Sequence, residues 1–176
     1  MVVSKRKFKM FMAKWGGIVI SVVFILLFSA FGAHYIYSVN RVDNTLAWVT
    51  QSVNIDRVNS ATLDQTSHIA TFHVKLKVMN TTDGSAQITA SDIVISLNGM
   101  EMQMVPSNEW TMKAPANQTV YIEGDVTMSE KEFDDLRSKG ATPFTITGKL
   151  YAKARYGIVL RDAERPININ SRIQIY

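Results

Sequence analysis

Two spacings of apolar residues divide this chain. From Trp15 to Tyr37, in WGGIVISVVFILLFSAFGAHYIY, no Lys, Arg, Asp or Glu interrupts the apolar run. About 20 apolar residues at a rise of 1.5 Å cross the hydrocarbon core of a bilayer, so 15–37 is expected to form a transmembrane helix. Phe24 and Leu27 lie in its middle, and Trp15, Tyr35 and Tyr37 at its two ends suit the headgroup level, where amphipathic rings settle. Residues 38–45 (SVNRVDNT) read as a short polar neck. From residue 46 onward the apolar period falls to two, and β-branched types dominate, which is the pattern of half-buried strands.

Four segments carry that alternation best. In TFHVKLKVM, Phe72, Val74, Leu76 and Val78 share one face, and His73, Lys75 and Lys77 the other. In QTVYIEGDVTM, Val120, Ile122, Val126 and Met128 point together, with Gly124 between them as a bulge or a close backbone approach. In FTITGKLYAKARY, Phe144, Ile146, Leu150, Ala152, Ala154 and Tyr156 oppose Thr145, Thr147, Lys149, Lys153 and Arg155. The last segment, PININSRIQIY, repeats the pattern with Ile167, Ile169, Ile173 and Ile175, and VTQSVNI offers an earlier strand through Val49, Val53 and Ile55.

The stretch NGMEMQMVP sets methionine at 100, 102 and 104. Soft thioethers in such a row suit Cu(I), so copper handling by an exported domain is one reading. The other follows from Asn98-Gly99, the commonest signal for a two-residue type I′ turn, whose two central residues need positive φ. A hairpin closed there pairs Leu97 with Met100, Ile95 with Met102 and Ile93 with Met104 on one face, and Ser96 with Glu101 and Val94 with Gln103 on the other. The sulfurs then form a wall of the core, the favoured expectation.

Only MSEKEFDDLRSKG reads as a helix outside the span. Ser129 is the N-cap, Glu132 completes a capping box, Arg137 and Lys139 sit in the last turn, and Gly140 stops it, with Phe133 and Leu136 as anchors. The expected fold is an N-terminal transmembrane helix followed by an all-β antiparallel sandwich of roughly seven strands, with one short inserted helix. Its parts are a basic cytoplasmic segment (1–14), the span (15–37), the neck (38–45) and the sandwich (46–176).

Charge adds direction. Lys5, Arg6, Lys7, Lys9 and Lys14 precede the span with no acid among them, and the next Lys or Arg is Arg41, so the N-terminus is expected in the cytoplasm and the domain beyond the membrane. Ala30-Phe31-Gly32 resembles a small-x-small processing site, but the apolar run exceeds the roughly 7–15 residues of a signal core, which favours an uncleaved anchor. Those five cations also explain the formal charge of +4, since the remainder holds 14 basic against 15 acidic residues. No footprint for a nucleic acid is left. There is no cysteine, which excludes disulfides and thiolate chemistry.

Catalytic chemistry finds little. His34 lies at the membrane edge, and His68 and His73 differ by an odd number within one strand, so they face opposite ways. No G-x-S-x-G elbow, EF-hand spacing or phosphate-cradling glycine loop occurs, so no enzyme activity, metal or cofactor is expected. Asn80-Thr81-Thr82 and Asn117-Gln118-Thr119 are sequons, which makes Asn80 and Asn117 candidate glycan acceptors.

The order of elements carries a family likeness. A single N-terminal span, a strand ending in Asn (FHVKLKVMN), a strand pair closing on LNGMEM, a strand after Pro115-Ala116, a helix and then FTITGKLYAKARYG resemble the membrane-anchored form of the late embryogenesis abundant type 2 family, or water-stress and hypersensitive-response domain. The likeness covers about residues 46–176, and where many members carry Asn-Pro-Asn this chain has Met79-Asn80-Thr81. The resemblance implies an immunoglobulin-like sandwich without catalytic residues, tied to stress tolerance, membrane protection or partner binding.

The expected function is therefore contact. Exposed strand edges, the 58–68 loop or a sheet face bearing Lys75, Lys77, Lys149, Lys153 and Arg155 would meet a protein partner, a second copy or anionic lipid headgroups. An alternative of another class is an anchored subunit of an envelope machine, such as a stator-like accessory of a surface filament, joined by strand addition at an edge.

Overall fold

The computed structural model describes residues 5–59, 61–107 and 110–174. The chain divides into two units after Asn40. In the first, helix α1 (Lys5–Gln51) begins, and its apolar stretch is long enough to cross a membrane. Trp15, Phe24, Leu27, Tyr35 and Tyr37 are all exposed along it, as are Lys9 and Lys14. The side chains of Lys5, Arg6 and Lys7 lie outside the described residues.

The polar stretch 38–45, expected as a neck, is helical throughout, because α1 continues without a break to Gln51. Nothing in 38–51 breaks a helix, as it holds neither Gly nor Pro. Val42, Leu46 and Val49 recur at i, i+4 and i+7, the spacing of one helical face, and all three are buried. The last turns of α1 therefore belong to the second unit (Arg41–Tyr176), and Val49 is a helical core residue instead of a strand residue. Ser52 ends the helix: its Oγ donates to Met79 O (2.6 Å) and accepts from Met79 N (3.0 Å).

The rest of this unit is an antiparallel sandwich of two sheets. The first orders β1 (Val53–Val58), β3 (Ile69–Asn80), β8 (Gln118–Ser129) and β6 (Val105–Pro106), with β2 (Thr62–Asp64) also on β3. The second orders β10 (Val159–Gln174), β9 (Ala141–Tyr156), β4 (Ala86–Leu97) and β5 (Met100–Gln103), with β7 (Thr111–Ala114) also on β4. Among the described residues there are thus ten strands where roughly seven were expected. The surplus is β2, β6 and β7, of four residues or fewer each, too short for a period of two to be visible.

The alternating residues named from sequence on β3, β8 and β9 face the core, with Val120 and Tyr156 only half-buried. Ile167 is buried and Ile169 half-buried on β10; the side chain of Ile173 and all of Ile175 lie outside the described residues. The β4–β5 hairpin closes at Asn98 (φ 51°) and Gly99 (φ 84°), and pairs Leu97 with Met100 and Ile95 with Met102 as expected. Met104 N donates to Ile93 O (2.9 Å), after which the chain leaves this sheet to pair Val105 with Asp125 of the other. Gly124 is a close approach and not a bulge, since its register with β3 is unbroken and a Cβ there would meet Met104 and Val105. Register shifts lie elsewhere, between Ile55 and Arg57 of β1 and between Ser91 and Val94 of β4, where Asp92 has φ 52° and Gly148 gives room for Ile93.

Helix α2 (Glu130–Ser138) forms as its cap predicts. Ser129 Oγ accepts from Glu132 N, the Glu132 carboxylate accepts from Ser129 N (2.9 Å), and Phe133 and Leu136 are buried. Phe133 packs its ring 6.0 Å from that of Phe72 on β3.

Candidate functional site

Strand alternation places one set of side chains from each sheet outward, and those sets carry the candidate chemistry. On β3, His73, Lys75 and Lys77 stand opposite Asp125, Glu123 and Tyr121 of β8. Lys75 Nζ lies 2.7 Å from Glu123 Oε1 and 4.0 Å from the centre of the Tyr121 ring. The Glu123 carboxylate, by hydrogen bond first, raises the Lys75 pKa above its ordinary value. His73 Nδ1 lies 2.8 Å from Asp125 Oδ1, and Ser107 Oγ donates to Asp125 Oδ2 at 3.3 Å. Cation and acid alternate across this face, so it presents little net positive charge.

The second sheet carries Lys149, Lys153 and Arg155 on β9. Lys149 Nζ lies 3.3 Å from Glu164 Oε1, and this hydrogen bond is the main cause that raises its pKa. Lys153 stands opposite Asp162 of β10, and Arg155 Nε donates to Gly157 O (3.3 Å). The five cations expected on one sheet face are therefore divided. Lys75 and Lys77 belong to the outer face of one layer, while Lys149, Lys153 and Arg155 belong to that of the other. A period of two decides inward against outward, but it carries no information about which sheet a strand joins.

A groove of about 470 Å³ on the second sheet joins Lys153 and Arg155 to Lys113, Gln87 and Leu160. Lys113 was missed in the sequence because β7 is only four residues long. Its register does the joining: Gln87 pairs with Lys113 on one side and with Lys153 on the other.

His68 and His73 have different partners. His68 sits in the turn before β3 with φ 55°, not within the strand, and its Nδ1 contacts the Glu130 carboxylate. The thioether row keeps Met104 buried and Met100 and Met102 half-buried, each of these two opposite an aliphatic side chain of β4.

The two sequons differ sharply. Asn80 is 1% exposed, and its Nδ2 donates to Gly84 O (2.8 Å), Ala114 O (3.0 Å) and Pro115 O (2.9 Å). Its Oδ1 accepts from Thr82 N and Thr82 Oγ1 (3.1 and 2.7 Å). This amide pins the β3–β4 and β7–β8 connections together and leaves no room for a sugar in the folded domain. Asn117 is exposed, with φ 53°, at the turn that enters β8.

No family model matches this chain, and no curated protein matches it. Among solved structures, a protein from Archaeoglobus fulgidus is similar at 8% identity over 70% of this chain and 98% of that one, with a TM-score of 0.39. A FixG-related protein from Vibrio parahaemolyticus is 16% identical over 70% of this chain and 93% of that one, TM-score 0.36. A putative late embryogenesis abundant protein is 12% identical over 82% and 85% of the two chains, TM-score 0.33. With TM-scores below 0.5, these likenesses leave function to the residues of this chain.

Proposed function

We propose that the protein is a non-enzymatic, single-pass membrane protein that holds an immunoglobulin-like sandwich of the late embryogenesis abundant type 2 kind outside the cytoplasmic face and acts by contact with a protein or a membrane surface. The observation that carries this reading is α1: one helix supplies an exposed apolar run and, through Val42, Leu46 and Val49, part of the sandwich core. An exposed apolar face of that length is costly in water and is expected to lie in lipid. The basic residues ahead of the run orient it with the N-terminus inside. Alkaline carbonate extraction tests the anchor: the chain should stay in the membrane pellet, and release into the supernatant contradicts the reading.

A second reading, an anchored subunit of an envelope assembly, is favoured by β10. This 16-residue strand is paired with β9 alone among the described residues, so no strand bonds its other edge. Asp43 of α1 holds Arg161 (2.9 Å), and Thr50, Gln51 and Val53 share a groove with 165–169, which confines strand addition to the rest of that edge. Detergent-extracted complexes of several copies would support it, and a lone monomer would oppose it.

A further inference from the structure

The turn between β9 and β10 combines features that the fold does not require. Gly157, with φ 57°, and Ile158 make a two-residue connection between Tyr156 and Val159, the tight kind that fixes its tip rigidly. Ile158 at the tip is 72% exposed, and Leu160 beside it is 53% exposed. Both are large apolar side chains held in solvent. Leu160 also lines the groove that contains Lys113, Lys153 and Arg155. Among the described residues no carboxylate lines that groove, and none of the three cations is in an ion pair. Lys153 also borders the adjoining depression, which holds its register neighbour Asp162 and Glu164, so the acid-free side of the groove is the one that Lys113 and Arg155 line with it.

Strand geometry spaces the cations for several separate anions. Lys113 and Lys153 are two strand spacings apart, roughly 9–10 Å, and Arg155 is two residues on from Lys153, roughly 7 Å. The hairpin is also tied to the start of its unit: the Arg41 guanidinium lies 4.2 Å over the centre of the Tyr156 ring. Arg41 follows Tyr37, the end of the apolar run, by only four residues.

We propose that the β9–β10 hairpin is a second membrane contact, in which Ile158 and Leu160 enter the headgroup boundary while Lys113, Lys153 and Arg155 bind the phosphates of anionic lipids. Apolar tips flanked by cations are what such a boundary takes up, and neither component alone would favour it as strongly. The inference rests on α1 being a membrane anchor and adds to it a lipid class and a named surface.

The absence of cysteine makes the test clean. The full chain, carrying a spin label on Ile158→Cys or on Glu101→Cys, is reconstituted in phosphatidylcholine vesicles with and without phosphatidylglycerol. Glu101 is opposite Ser96, nine residues along β4 from Gln87 and about 30 Å from the groove. With phosphatidylglycerol present, the ratio of oxygen to nickel-chelate collisions at position 158 should rise severalfold, while that at 101 stays aqueous. Changing Lys113, Lys153 and Arg155 together to Gln should abolish the rise, with circular dichroism unchanged. An aqueous label at 158 in anionic vesicles overturns the inference, as does a triple variant that behaves like the parent. A carbonate wash separates the causes: a chain that washes off overturns the anchor and this contact with it, whereas a retained chain with an aqueous tip overturns this contact alone.

Discussion

Gly124 leaves the space that Met104 fills: a Cβ at Gly124 would stand 2.5 Å from Met104 Cε and 2.6 Å from Val105 O. The contact lies where the chain steps from β5 in one sheet to β6 in the other. Gly124→Ala should therefore destabilise the domain by about 1–3 kcal/mol, because the carbonyl cannot swing away as a side chain can. Thermal unfolding of the detergent-solubilised chain measures it, and an unchanged midpoint would mean that the corner is loosely packed.

Asn80 makes a second prediction. Removing its amide strands the buried carbonyl of Ala114 and the part-buried ones of Gly84 and Pro115, so Asn80→Ala should cost about 1–3 kcal/mol. Asn80→Asp should cost more, since a carboxylate would face three carbonyl oxygens. In a glycosylating host, peptide mass analysis should find any glycan on Asn117 and none on Asn80. A glycan on Asn80 in folded protein would contradict its burial.

The end of α1 gives a third. Leu46 is buried and Trp48 is 56% exposed two residues later. Leu46→Ala should lower stability by about 2–5 kcal/mol, whereas Trp48→Ala should stay within about 0.5 kcal/mol. Equal effects from the two would return 41–51 to the role of a linker.

These three sites show what the sequence disclosed and what it withheld. Asn98-Gly99, the capping box at Ser129 and the alternation in β3, β8 and β9 were legible because each is a local constraint on backbone or side-chain direction. The continuation of α1 was hidden because its core face was split: Val42 lay in a stretch that reads as polar, and Val49 fitted a strand pattern equally well. The five outward cations were recognised as outward, but their division between two layers depends on strand pairing over long separations. Lys113 escaped because a four-residue strand is too short to announce itself.

Helix α2 should respond to acid with a definite sign. The hydrogen bonds from Ser129, its side chain first, hold the Glu132 carboxyl below its ordinary value of 4.5. A carboxyl depressed by folding contributes stability that is present above the unfolded value and is lost as pH falls through the folded one. Glu132→Gln keeps an acceptor for the cap but removes the titration. The parent should be the more stable of the two near neutrality, and the gap should close as the pH is lowered from about 4.5. A gap independent of pH would sink this account of the cap.

The claim on which the rest depends is that α1 crosses the bilayer once and sets the sandwich on the far side. Because the chain has no cysteine, Ser4→Cys and Glu101→Cys each report one compartment. A membrane-impermeant maleimide added to intact cells should label Glu101→Cys at once and Ser4→Cys only after permeabilisation. Labelling in the opposite order, or protection of Glu101→Cys until lysis, would contradict the orientation and the function argued from it.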